Sequence, residues 1–304
     1  MITLANQLNL INARKLTKAE VRSFYNEFNK TDGKIDSLPD DRDGFEGEGI
    51  GVMDEGALRG LYTYKALASL QPDVTLYYPY GGIIGAEHYT ALHRELIEGL
   101  LNQIKTASKV QIIIALDRQS LLEAKIETKE EAFWVTHGFS RLDAHVHYQG
   151  AIKYDVNAGG QSSFSVSAYN GSDATTDLEL CHLYRRAYLG RAGIPDITPE
   201  TINQQLAIRS CSYLIIRHLE DLIGQATLFI DNAECYVDSI YIKRKYWGTG
   251  AADKLGQSIL QHAENQGCHT ISGTAASDNR ASCALMERFG LTAQYQMQRM
   301  VISL

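Results

Sequence analysis

The chain has 304 residues, 44% of them hydrophobic and 21% charged, which suits one large or two ordinary folded domains and excludes extended disorder. Its formal net charge of −7 excludes a general basic surface, so no nucleic-acid partner is expected. No apolar run approaches the roughly 18 residues needed to span a bilayer, and residues 1–30 lack the charged start and apolar centre of a signal peptide, so a cytoplasmic protein without a membrane partner is expected.

In chain order, Val21, Phe24, Tyr25 and Phe28 fall at helical spacing over residues 17–28. Residues 32–51 follow as a polar loop. Within it Asp40 to Gly49 distantly resembles a calcium loop, but the acids are out of order and no Glu closes it, so no metal is expected. Apolar or alternating runs at 61–70 and 74–78 predict paired strands. Tyr80-Gly81-Gly82-Ile83-Ile84-Gly85 reads as a glycine loop, and Leu92, Leu96, Ile97, Leu100 and Leu101 then mark one face of a helix over 88–104. Residues 110–116 are an uninterrupted apolar strand. A short helix over 130–137 ends at Gly138-Phe139, and 144–148 alternates again.

Gly and Ser cluster over residues 157–167, which reads as a linker between domains 1–157 and 158–304. The second half predicts helices at 175–189 and 199–208 and strands at 213–219, 223–230 and 235–242. A basic glycine loop follows at 243–250, then a helix from 251, a strand at 269–273, a helix at 282–289 and a final strand pattern over 293–304. All five cysteines lie in this half and none is spaced as CxxC, so buried, reduced thiols are expected. Residues 133–139 align with 285–291 at an offset of 152, half the chain, which predicts tandem copies of one fold.

The stretch from Tyr236 to Leu260 is strand, anion loop and helix. The first N–H groups of such a helix lack carbonyl partners and favour a phosphate, and Lys243, Arg244 and Lys245 add positive charge. The loop Lys245-Tyr246-Trp247-Gly248-Thr249-Gly250 resembles the Gln/Arg-x-x-Gly-x-Gly/Ala motif of the GNAT acyltransferases, with Lys in the first place. A second motif of that family, an Asn opening a helix that ends in Gly-Phe, is matched by Asn279 to Leu291. The resemblance covers residues 165–304 and, more weakly, the first half, whose glycine loop has no Lys or Arg between Lys65 and Arg94. It implies two tandem α/β (α+β) domains, each a mixed, mostly antiparallel twisted sheet flanked by helices. The first is expected to be a degenerate, non-catalytic copy.

The resemblance implies acetyl-coenzyme A as cofactor and direct acyl transfer to an amine. The N–H groups of Trp247, Gly248, Thr249, Gly250, Ala251 and Ala252, with Lys245, are expected to meet the pyrophosphate. The main chain of Ile240, Tyr241 and Ile242 is expected to pair with the pantetheine arm, and Asn279 to hold the cofactor or cap its helix. Gly81, Gly82 and Gly85 are the corresponding candidates in the first half. The acceptor, a small-molecule amine or a protein or peptide amine, arrives protonated, so a carboxylate is needed as base; Asp238 and Glu234 are the candidates. Met286 stands where many members carry a proton-donating Tyr. A coenzyme A thiol, with a pKa of about 8.5, can leave without an acid. The rival reading that Met286 favours is a non-catalytic acyl-coenzyme A sensor. Two domains in one chain suit a monomer, and the resemblance extends to bacterial cytoplasmic enzymes and to effectors delivered into host cells.

Overall fold

The computed structural model describes residues 9–12, 16–31, 48–54, 56–64, 66–83, 89–104, 109–116, 129–152, 163–171, 173–208 and 210–304. The calcium-like run 40–47, Gly85 and the linker core 153–162 lie outside them. The chain divides into one compact unit of Met1–Ile114 with Val301–Leu304, and a second of Ala115–Met300.

The first unit contains β1 (Asn9–Asn12), α1 (Lys18–Thr31), β2 (Glu48–Asp54), β3 (Ala57–Tyr64), β4 (Ala66–Ala68), β5 (Val74–Tyr77), β6 (Tyr80–Ile83), α2 (Tyr89–Ile104) and β7 (Lys109–Ala115). Strands β1, β2, β3 and β6 form an antiparallel sheet. Beside it β4 pairs antiparallel with β5, and β5 runs parallel to β7. Leu92, Leu96, Ile97 and Leu100, the face of α2 expected from its spacing, are all buried, as are Ile50, Val52 and Leu61. Two expectations change here. Residues 48–51 belong to β2, because Ile50 and Val52 alternate inward between glycines that read as loop. Gly81 and Gly82 lie in strand β6, opposite Tyr62 and Leu61, and not in a loop.

The second unit contains α3 (Lys129–Thr136), β8 (Ser140–Ala151), β9 (Phe164–Tyr169), α4 (Ala174–Ala187), α5 (Pro199–Ala207), β10 (Cys211–His218), β11 (Asp221–Asp231), β12 (Glu234–Ile242), α6 (Ala251–Asn265), β13 (Thr270–Ala276), α7 (Arg280–Arg288) and β14 (Thr292–Ser303). Its sheet runs β14-β8-β13-β12-β11-β10-β9. The strands β9 to β12 are antiparallel, β12 and β13 are parallel, and β8 is antiparallel to β13. Strand β9 corrects the linker reading of 157–167: Phe164 and Val166 alternate with serines along an edge strand paired to β10.

Alternation along β10 assigns the helices to faces. Leu214 and Ile216 pack with Ala251, Leu255 and Ile259 of α6 and Met286 of α7, whereas Tyr213 and Ile215 pack with Leu180, Cys181 and Ile202 of α4 and α5. Full burial of each Leu or Ile in these layers contributes about 1.5–3 kcal/mol. Four cysteines are buried and Cys283 is partly so, and all five are free thiols.

The tandem repeat is visible in the backbone. Helix α3 ends with His137 and Phe139 N–H groups donating to the Trp134 carbonyl, and α7 ends with Phe289 and Leu291 donating to Met286. Gly138 and Gly290 both take left-handed φ, +88° and +76°, as this C-terminal cap requires. The strands that follow, Ser140–Ala151 and Thr292–Ser303, are both 12 residues long.

Candidate active site

The site begins with one surplus residue. On β11, Thr227 and Leu228 pair with Ser239 and Val237, so Asp238 has no partner and forms a β-bulge. A bulge bends its strand. The parallel pairing of β12 with β13 ends at this point, at Val237 opposite Gly273, although β12 continues to Ile242. Gly273 permits close approach here: a Cβ on it would stand 3.0 Å from the Val237 carbonyl oxygen and 3.3 Å from Met286 Cε.

Beyond the bulge β12 has an open edge. Lys243 N–H donates to the Ile223 carbonyl on β11 at 2.7 Å. Alternation then turns the main-chain groups of Ser239 and Tyr241 toward β11 and those of Ile240 and Ile242 toward the gap. Of the three residues expected to meet a pantetheine arm, Ile240 and Ile242 direct main chain to this open edge. Tyr241 instead projects its ring onto the α4 face. The Ile242 carbonyl accepts a hydrogen bond from the Trp247 indole at 2.9 Å, and Trp247, with Arg244 6.0 Å from its ring centroid, is 59% exposed.

The gap leads to the N-terminus of α6. Gly248 and Gly250 take φ of +73° and +86°, with nothing within 4 Å of where a Cβ would stand. Backbone shape therefore calls for glycine at both, and the space above them is open. Gly250 caps α6 without a side chain, and the first helical hydrogen bond is Lys254 N–H to the Gly250 carbonyl at 2.9 Å. That leaves the N–H groups of Ala251, Ala252 and Asp253 without intrahelical partners at the positive end of the helix dipole. Thr249 is tied back to Tyr246, its hydroxyl donating to the Tyr246 carbonyl at 2.7 Å.

The lysines are arranged differently from the sequence expectation. Lys243 and Lys245 donate to the two oxygens of Asp221 at 2.6 and 2.9 Å, and the Tyr246 hydroxyl adds a third contact at 3.2 Å. These donors, Lys243 first, hold the Asp221 carboxyl down at about 2. Lys245 is thus part of a clamp that shapes the loop. Asp221 escaped the sequence reading because only the β11–β12 pairing brings it beneath residues that follow it by more than twenty positions.

Asn279 caps α7: its Oδ1 accepts from the Ser282 N–H at 3.2 Å. Phe289, at the other end of α7, lies on Gly256 of α6, where no Cβ could fit. Met286 is buried against Gly273 and Val237, in core and not at the opening. Tyr148 of β8 is directed at Cys283 of α7; burial first and Cys283 second raise its pKa, so it stays protonated at neutral pH.

Asp238 lies on the α4 face and keeps exposed surface, with Tyr188, Tyr213 and Tyr236 within electrostatic reach. The surrounding protein desolvates its carboxyl and pushes the pKa up to about 6. It has no ion pair among the described residues. Glu234 sits four residues back, about 13 Å along the strand, where β12 and β13 are still paired, and accepts a hydrogen bond from Ser272. The bulge therefore separates the two candidate carboxylates: Asp238 stands at the opening and Glu234 does not. Tyr184 and Tyr188, missed in the sequence, join Asp238 and the Tyr241 ring on this face; aromatic residues at helical spacing at the end of α4 are indistinguishable from core until the sheet face is known. Among the described residues no cluster of metal-ligating side chains occurs.

A model of the acetyltransferase (GNAT) family matches residues 178–291. No curated protein matches the chain. Among solved structures, a tandem GNAT protein from the clavulanic acid biosynthesis pathway is similar at 14% identity over 84% of this chain and 82% of its own, with a TM-score of 0.59. A GCN5-related N-acetyltransferase from Sphaerobacter thermophilus is similar at 12% identity over 99% and 97%, with a TM-score of 0.63. One from Kribbella flavida is similar at 14% identity over 98% and 72%, with a TM-score of 0.59. The likenesses at these identities concern the fold, which is mixed α/β with mostly antiparallel sheets flanked by helices. Residues 178–291 match the acetyltransferase (GNAT) family, and the chain as a whole is similar in fold to tandem GNAT proteins.

Proposed function

We propose that the protein is an acetyl-coenzyme A dependent N-acetyltransferase whose chemistry takes place in the second unit. The observation that carries this reading is the joint occurrence, on one strand, of a bulged, uncompensated carboxylate and an open main-chain edge that runs into an uncapped helix N-terminus. A long ligand with amides at one end and phosphates at the other fits that arrangement. Ile240 and Ile242 would pair with the amides, and the N–H groups of Gly248, Gly250, Ala251 and Ala252 would meet the pyrophosphate; those of Trp247 and Thr249, also expected from the sequence, are instead bonded to the Arg244 and Tyr246 carbonyls. The free side-chain amide of Asn279 would border the gap. Bound acetyl-coenzyme A supplies an acetyl group activated as a thioester.

The protein's own contribution to the reaction follows from Asp238. At pH 7 a carboxyl with a pKa of about 6 is mostly ionised, yet is a stronger base than an ordinary aspartate. It attracts the acceptor ammonium and takes its proton, directly or through one water, as the nitrogen becomes a nucleophile. An N–H on the Ile240 edge is placed to stabilise negative charge on a carbonyl oxygen in the gap. The first unit is read as non-catalytic, since Gly81 and Gly82 are strand residues paired to β3. The test is release of free thiol from acetyl-coenzyme A with a panel of amines. Amine-dependent release is expected; tight cofactor binding with no release for any amine would instead support a sensor.

A further inference from the structure

The α4 face around Asp238 carries information about the acceptor. Tyr184, Tyr188 and Tyr241 pack edge to face, with ring centroids 4.9 Å (Tyr184–Tyr188), 5.6 Å (Tyr184–Tyr241) and 5.3 Å (Tyr188–Tyr241) apart. Three rings at steep mutual angles form a corner, and a π-face attracts a cation. Farther along the same sheet face the Tyr236 and Thr274 hydroxyls lie 3.3 Å apart, and His147, across from Thr274, stacks on Tyr295 at 4.6 Å.

The charges on this face are unequally matched. Two arginines act on Tyr188, and each already has a carboxylate: Arg191 pairs with Asp278 at 3.2 Å, and Arg299 pairs with both oxygens of Asp143 at 2.6 Å. His145 also lies 3.3 Å from Asp143. Asp238 is left over. A ligand ammonium would satisfy it, whereas a ligand carboxylate or phosphate would find both arginines engaged and would meet Asp238 as a like charge.

We infer that the acceptor is a monocationic primary amine on an aromatic or aliphatic body that bears no carboxylate or phosphate, its ammonium held between Asp238 and the corner of Tyr184, Tyr188 and Tyr241. This rests on the acetyltransferase reading. It narrows the acceptor from any amine to one class.

The test uses the full chain, acetyl-coenzyme A and three probes of graded charge: phenethylamine, phenylalanine and phosphoethanolamine. Phenethylamine is expected to show kcat/KM at least tenfold above the other two. Tyr188→Ala should raise KM for phenethylamine with little change in kcat, and Tyr188→Phe, which keeps the π-face, should restore it. Calorimetric binding of phenethylamine in the presence of coenzyme A is measured in parallel, with Asp238→Asn expected to weaken it. Equal or better use of phenylalanine or phosphoethanolamine overturns the inference and leaves acyl transfer standing. Asp238-dependent binding without thiol release for any amine overturns acyl transfer and leaves the amine site standing. Absence of both phenethylamine binding and thiol release overturns both.

Discussion

Asp238 is held where it is costly to keep charged. Its carboxyl titrates near 6 in the folded chain against about 4 in an unfolded one, so the folded state binds the extra proton between those values. Stability is therefore complete at low pH and declines as pH rises from about 4 through 6. Asp238→Asn is expected to melt at the same temperature as the parent at pH 4 and at a higher temperature at pH 7, while kcat/KM falls by about 10²-fold or more. Thermal melts at the two pH values check the first effect; equal melting temperatures at pH 7 would mean that burial does not strain this group. Asp238 was legible in the sequence as an acid inside an apolar strand. That it stands alone, with Glu234 bonded to Ser272, was not legible, because period-two alternation places both on one face, and the serine that engages Glu234 comes from β13, whose pairing with β12 ends before Asp238.

At the scale of elements, the strand β12, its glycine turn and α6 were readable nearly to the residue, since a β-branched run, two glycines and an amphipathic pattern each have a direct local cause. The lysines were not, since their partner Asp221 comes from the neighbouring strand. Binding is consequently assigned to the backbone of the helix start more than to the lysine charges. Gly248 tests this. Gly248→Ala brings a strained left-handed residue, at a cost of about 1–2 kcal/mol, but no charge. Gly248→Asp brings the same strain and a carboxylate in front of the free N–H groups. Calorimetry with coenzyme A should find weakened binding for the first variant and none for the second; equal affinities for the two would remove the anion site from the start of α6. Phe289 lying on Gly256 explains the end of the second motif mechanically: it seats α7 against α6, so the capped end of one helix fixes the position of the other.

At the scale of the molecule, the repeat of residues 133–139 at 285–291 correctly announced a tandem fold, and the matching helix caps and 12-residue strands are its structural form. What the repeat could not announce is where the strands go. Strand β8 precedes the Gly- and Ser-rich stretch yet pairs with β13 in the second unit, and Val301–Leu304 ends in the first, where Val110 and Leu304 exchange hydrogen bonds. Strand partnership across more than a hundred residues leaves no local trace. A fragment of residues 158–304 is therefore expected to be insoluble, because the edge of β13 from Thr270 to Ala276 would be bare, whereas a fragment of 129–304 should be soluble and bind coenzyme A. A cooperatively melting 158–304 fragment with full affinity would show that β8 is dispensable. The central claim, that the second unit transfers an acetyl group with Asp238 as base, is tested most directly by measuring thiol release from acetyl-coenzyme A by the full chain and by Asp238→Asn at saturating phenethylamine. Amine-dependent release by the parent, lost in the variant at unchanged acetyl-coenzyme A affinity, is the result predicted; equal release by both chains, or none by either, would contradict it.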